Sequence, residues 1–145
     1  EHVDNYVSIF TAVTGKEIDE NGILEQSERM HTLQRLLNIR MGLWGVAEDT
    51  PPYRAMGPVT EEEYLYREKH YDNEIEKYTG IDTTKKKLKD RMEILRKAKY
   101  ELFEDLQQKV YAARGWDNSG VPTVETLKRL KIDFPEAVEL VNSVK

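Results

Sequence analysis

The chain has 145 residues, of which 34% are charged and 39% hydrophobic, with a formal charge of −5 and no cysteine. That length suits a single domain burying roughly two-thirds of its unfolded surface, and the acidic balance argues against a nucleic-acid binder, which needs a basic face. Without thiols the chain cannot build a disulfide, a thiolate zinc site, a cysteine-ligated iron–sulfur cluster or a cysteine nucleophile. No stretch approaches the ~18 apolar residues of a membrane span and nothing resembles a signal peptide, so no membrane partner and a cytoplasmic location are expected.

The first residue is Glu1, not Met, and helical apolar spacing already begins at Val3, which suggests a piece of a longer polypeptide. Val3, Tyr6, Val7, Phe10 and Val13 predict a short helix over 3–14 stopped by Gly15. The next helix, from about Gly22 to Met41, is the expected centre of the molecule. Its predicted buried stripe is Ile23, Ser27, Met30, Leu33, Leu37 and Met41, widened by Leu24, Leu36 and Ile39. Gly42 stops it, and Leu43, Trp44 and Gly45 lead into Asp49-Thr50-Pro51-Pro52, where the prolines forbid helix.

Thr60-Glu61-Glu62-Glu63 reads as a capping box, and Tyr64, Tyr71, Ile75 and Tyr78 predict a third helix ending at Gly80. Asp82 is the expected cap of a fourth helix reaching Ala113, with a seam of Leu88, Met92, Leu95, Leu102, Leu106 and Val110 interrupted by Lys99. The short break between the third and fourth helices predicts an antiparallel hairpin. Gly115 supplies a left-handed stop, and Thr123 after Pro122 caps a fifth segment bearing Leu127 and Leu130. Asp133-Phe134-Pro135-Glu136 reads as a second capping box, opening a last helix with Val138, Val141 and Val144. No strand-like alternation or internal repeat is present. The expected fold is all-α, about six helices around the long central one.

Chemistry-bearing patterns are few. Glu28 and His31 form an ExxH step, but a carboxylate-bridged metal site needs a second such step and further glutamates, which the sequence lacks. Arg40, Asp49, Arg54, Arg114 and Asp117 flank the Pro and Trp loops and suggest a buried arginine–carboxylate network locking two turns together. The functional alternative is that Arg40 or Arg54 lines a substrate channel. Trp44 and Trp116 are expected to fill core or interdomain gaps. Lys85, Lys86, Lys87, Lys89 and Arg91 form the one basic run; Asp82, Asp90 and Glu93 beside it favour a solvated face over a docking patch for an acidic electron carrier. The glycine-containing loops match no phosphate-binding or dinucleotide fingerprint, and no Ser/His/Asp set assembles.

Two stretches, taken together, resemble the C-terminal part of the tungsten-containing aldehyde ferredoxin oxidoreductase family. The first is Glu28-Arg29, Leu33, Leu37-Asn38-Ile39-Arg40-Met41-Gly42 and Asp49-Thr50-Pro51-Pro52-Tyr53-Arg54. The second is Tyr111-Ala112-Ala113-Arg114-Gly115-Trp116-Asp117 with Gly120-Val121-Pro122-Thr123, Leu127 and Leu130. Tyr6 through Gly15 fits the segment that the family places ahead of the first. Met41 departs from the pattern, which normally has Glu before the glycine. Residues 57–109 have no close counterpart, so the hairpin there looks like a subfamily feature within a single helical domain over 1–145.

The resemblance implies a parent oxidoreductase acting on aldehyde or oxo substrates, with a tungstopterin centre, a [4Fe–4S] cluster and ferredoxin-type electron transfer. Its ligands would lie upstream of Glu1, so no catalytic, cofactor-binding or metal-ligating residue is assigned to this chain, and no cofactor is expected in the fragment. The implied partners are the upstream domains, a ferredoxin-type carrier of the parent and, in a homo-oligomer, further copies. Alone, the fragment would be inactive, its role to close the core and shape the substrate route. The alternative is a free-standing helical interaction module whose Leu88–Val110 seam offers a groove to a partner helix.

Overall fold

Asp19 stands in extended conformation and accepts a hydrogen bond from the Gly22 amide at 2.8 Å, an N-cap that starts the predicted central helix. The structure is a computed structural model that describes residues 2–144. Seven α-helices follow in order: α1 (His2–Thr14), α2 (Glu20–Arg40), α3 (Glu61–Tyr66), α4 (Glu68–Thr79), α5 (Leu88–Ala113), α6 (Val124–Arg129) and α7 (Pro135–Ser143). No β-strand occurs among the described residues, and Trp116 and Pro122 form an isolated bridge. The fold is all-α, with one helix more than expected. The chain divides into two compact units, residues 1–48 with 111–145, and residues 49–110.

In the first unit α1 packs on α2, α2 on α7, and α6 on α7. Its core joins Leu36 and Ile39 of α2 to Val121, Leu127, Leu130, Ile132, Ala137 and Val141. Each such large aliphatic side chain contributes about 1.5–3 kcal/mol by leaving water. The buried face of α2 is Thr32, Arg35, Leu36 and Ile39. The predicted stripe is therefore corrected: Met30, Leu37 and Met41 are exposed, and Leu33 only borders the core. Trp44 packs against the same core, whereas α1 buries none of its residues. At α7 the proline takes the first helical position as predicted, but Phe134 is the N-cap and makes no side-chain bond, so Asp133 does not cap.

The second unit is built on Tyr64, Ile75 and Leu95, all inaccessible to solvent, with Tyr71, Leu88 and Met92 around them. The Thr60 hydroxyl accepts the Glu63 amide at 3.2 Å, and the Glu63 carboxylate reaches back to the Val59 amide at 2.8 Å. The expected single helix over this stretch is broken at Arg67 (φ −127°, ψ 31°). The break places Tyr64 to donate its hydroxyl to Asp72 at 2.9 Å while its ring packs on Tyr71. Gly80 takes the left-handed position and ends α4 as predicted.

Asp82 does not cap α5. It accepts the Thr84 amide in a tight turn, and the helix begins six residues later at Leu88. Arg91 of α5 bonds Glu68 and Asp72 of α4, and Lys99 forms an ion pair with Glu74 at 2.9 Å. Long cationic side chains, and not close backbone packing, link the two helices. Leu95 lies in this core, but Leu102, Leu106 and Val110 on the same seam are exposed.

Candidate functional site

In the first unit one buried side chain, Arg35, joins the central helix to the loop after α5. This arginine is buried on α2, and its Nε donates to the Gly120 carbonyl at 2.8 Å. The guanidinium carbon lies 5.1 Å from the Trp116 ring centre and 5.8 Å from that of Tyr111, within cation–π range of both. A guanidinium tolerates this burial because its fork can bond a carbonyl while its flat faces stack on rings.

The loop after α5 is built to present that carbonyl. Gly115 (φ +68°) ends the helix, and the Trp116 amide bonds back to the Tyr111 carbonyl at 2.9 Å. Asp117 then accepts the amides of Ser119 at 2.9 Å and Val121 at 3.0 Å through one carboxylate oxygen, folding the turn that delivers Gly120. A Cβ on Gly120 would lie 2.3 Å from an Arg35 guanidinium nitrogen, so only glycine admits the approach. Thr123 caps α6 by accepting the Thr126 amide at 3.2 Å, and the Thr126 hydroxyl donates to the Gly115 carbonyl at 2.7 Å. The Trp116 indole nitrogen and the buried Thr32 hydroxyl have no hydrogen-bond partner among the described protein atoms.

Glu28 and Arg29, next to each other on α2, hold the other end of α6. Glu28 accepts two hydrogen bonds from the Arg129 guanidinium, one at 2.9 Å, and Arg29 donates to the Leu130 carbonyl at 2.7 Å. The Arg129 bond holds the Glu28 carboxyl below its ordinary range, against a smaller opposing effect of partial burial. Here the helix ends with Lys131 at φ +57°, a strained position for a side chain with a Cβ, and Leu127 accepts the Ile132 amide. Glu28 is thus engaged by an arginine, and His31 is exposed. Among the described residues, no group of three or more His, Asp or Glu side chains is placed to hold a metal ion.

The arginine at the centre is one that sequence reasoning passed over. Arg40 is exposed, and Arg54 bonds Glu63 at 2.6 Å within the second unit. Arg114 lies 5.7 Å from the Trp116 ring centre, and Asp117 spends its carboxylate oxygen on backbone amides rather than on an arginine. At Arg35 the structure shows an arginine–carbonyl bond with aromatic walls, and Arg114 and Asp117 of the expected set do not pair with each other. One signal for it was available: Arg35 falls three residues after Thr32 and four before Ile39, on the face that is buried.

Two apolar surfaces of the first unit stay open. A groove of about 560 Å³ between α2 and α7 is lined by Leu33, Leu36, Leu37, Phe134 and Leu140, with Arg40 and Glu136 at its edges. A second, of about 630 Å³, lies between α1 and α2 and includes Tyr6, Ile9, Phe10, Val13 and Ile23. No described helix is long and apolar enough to cross a membrane.

A family model described as aldehyde ferredoxin oxidoreductase, domains 2 & 3, matches residues 1–132, a span that includes both motif-bearing stretches. No curated protein and no solved structure matches the chain. The family match covers most of the chain's length, and it shows that the chain belongs to the aldehyde ferredoxin oxidoreductase family.

Proposed function

We propose that this chain is the helical closing part of a tungsten-pterin, iron–sulfur oxidoreductase acting on aldehyde or oxo substrates, and that it is inactive alone. The carrying observation is the pair of open apolar surfaces on the first unit, beside a core that is otherwise well filled. A cofactor-bearing domain supplied by the parent enzyme would cover them, and the helices would wall one side of the substrate route. The chain's own donor set does not fit the metal centres: it has no cysteine, and its described residues form no cluster of ligands. Cluster and tungsten ligands are therefore assigned to other parts of the parent. A ferredoxin-type carrier as redox partner and a cytoplasmic setting belong to the same proposal, as does the 57–109 segment as a subfamily feature.

The test is complementation in two pieces. This chain is co-expressed with a separately encoded cofactor domain of the same family, and the pair is followed by size exclusion and elemental analysis. Co-elution, with tungsten and iron in the complex and absent from this chain purified alone, is the expected result. Failure to associate at micromolar concentration overturns the reading. The competing view, a free-standing interaction module, rests on exposed Leu102, Leu106 and Val110 along α5. It predicts self-association by light scattering that Leu106→Glu abolishes.

A further inference from the structure

The second unit holds a cleft of about 570 Å³ that the closing role does not use. Arg54, Arg67, His70 and Lys99 line it with the rings of Tyr66 and Tyr71, alongside the carboxylates of Glu62 and Glu63; Glu63 is taken up by Arg54, and His70 lies 3.8 Å from Glu74. Its size is that of a small-molecule site.

Two of the cations are held in place. Glu63 bonds Arg54 through one oxygen at 2.6 Å and the Val59 amide through the other at 2.8 Å, so the carboxylate that orients Arg54 is itself fixed. That bond uses one of the five N–H donors of Arg54. Lys99 is anchored by Glu74 at 2.9 Å and sits 5.8 Å from the Tyr71 ring centre. Arg67 differs. It stands at the break between α3 and α4, exposed; its backbone bonds Tyr64 and His70, but its side chain makes no hydrogen bond or ion pair to a described residue. Neither glycine nor proline lies at the break, so local sequence does not demand it. Tyr66, one residue earlier, is 90% exposed, a large ring left in water beside an unengaged guanidinium.

We propose that this cleft binds a small organic anion, a carboxylate or phosphate group carried on a flat apolar body. Arg67 and Arg54 take the oxygens, since a guanidinium fork matches both oxyanions, and the rings of Tyr66 and Tyr71 take the body. Glu62, on the same wall, disfavours extended polyanions such as nucleic acid. The proposal concerns the second unit alone and stands apart from the closing role.

The chain is titrated with benzoate, phenyl phosphate and neutral benzamide while its amide NMR signals are followed. Shifts confined to residues 54–71 and the vicinity of Lys99, with one or both anions and not with benzamide, are expected. The stronger of the two anions identifies the oxyanion. Arg67→Gln, at an exposed position, should weaken binding about tenfold, the loss of one charge-assisted interaction, and leave the remaining spectrum unchanged. Equal shifts with benzamide, unaltered affinity in Arg67→Gln, or no localised shifts with either anion would overturn the proposal.

Discussion

Arg35 and Gly120 are 85 residues apart, yet the arginine Nε lies 2.8 Å from the glycine carbonyl and leaves no room for a Cβ there. One helix face and one loop are thereby made to fit each other. Arg35→Lys keeps the charge but loses the planar fork and its stacking on Tyr111 and Trp116. We expect a loss of about 1–3 kcal/mol by urea unfolding, and a larger one for Arg35→Ala. A midpoint for Arg35→Lys equal to the parent's would show that the charge alone suffices.

Gly115 gives a sharper case. At φ +68°, a Cβ on this residue would lie 2.1 Å from the Thr126 hydroxyl oxygen, the same hydroxyl that bonds the Gly115 carbonyl. Gly115→Val combines left-handed strain with a collision and should cost about 3 kcal/mol or more. Gly15, also left-handed at φ +67°, has nothing near its would-be Cβ. Gly15→Ala should therefore cost about 1 kcal/mol, from strain alone. Paired thermal melts check the ordering.

The open groove separates folding from function. Leu37→Ser and Phe134→Ser alter exposed apolar residues, and each should change stability by no more than about 0.5 kcal/mol. Both should weaken association with the cofactor domain in the two-piece assay. Leu127→Ala, in the inaccessible core, should instead cost about 2–5 kcal/mol. If Leu37→Ser and Phe134→Ser bind as the parent does, the groove is not the contact.

Acid should loosen the hold on α6. Arg129 lowers the Glu28 carboxyl below its ordinary value of 4.5, so the folded form binds a proton less readily than the unfolded form. The contribution is fully present above the unfolded value and is lost as pH falls through the lower, folded one. Unfolding free energy should therefore decline below about pH 4.5, and Glu28→Gln should flatten part of that decline. An unchanged slope in the variant would assign the acid sensitivity elsewhere; Glu63, lowered first by the Val59 amide and then by Arg54, and Asp82, lowered by Thr84, are other carboxylates shifted the same way.

Helix positions were largely legible in the sequence, because glycine stops and threonine caps act locally: Gly42, Gly80, Gly115, Thr60 and Thr123 all perform as their chemistry predicts. Helix faces were less so. On α2, apolar residues occur nearly all round, and hydrophobicity ranks Met30 and Leu37 above Thr32 and Arg35. The winning face was selected by what packs on it, a carbonyl from a distant turn and two aromatic rings. The same limit applies at Arg67, where Tyr64, Asp72 and Arg91 break a helix that local sequence would continue. The family motifs pointed to the right residues but not to their work: Glu28 and Arg29 grip a helix end, and Asp117 shapes a turn.

The first unit is discontinuous along the chain, with residues 49–110 between its two parts. During synthesis, the buried face of α2 is made long before Gly120, Leu127 and Val141 exist to cover it. The second unit, being one continuous stretch, can mature on its own while α1 and α2 wait. Contacts of such long sequence separation are slow to form, so covering Leu36 and Ile39 should be a late step in folding. This waiting period, more than any weakness of the finished structure, is where chaperone dependence and aggregation on overexpression should originate.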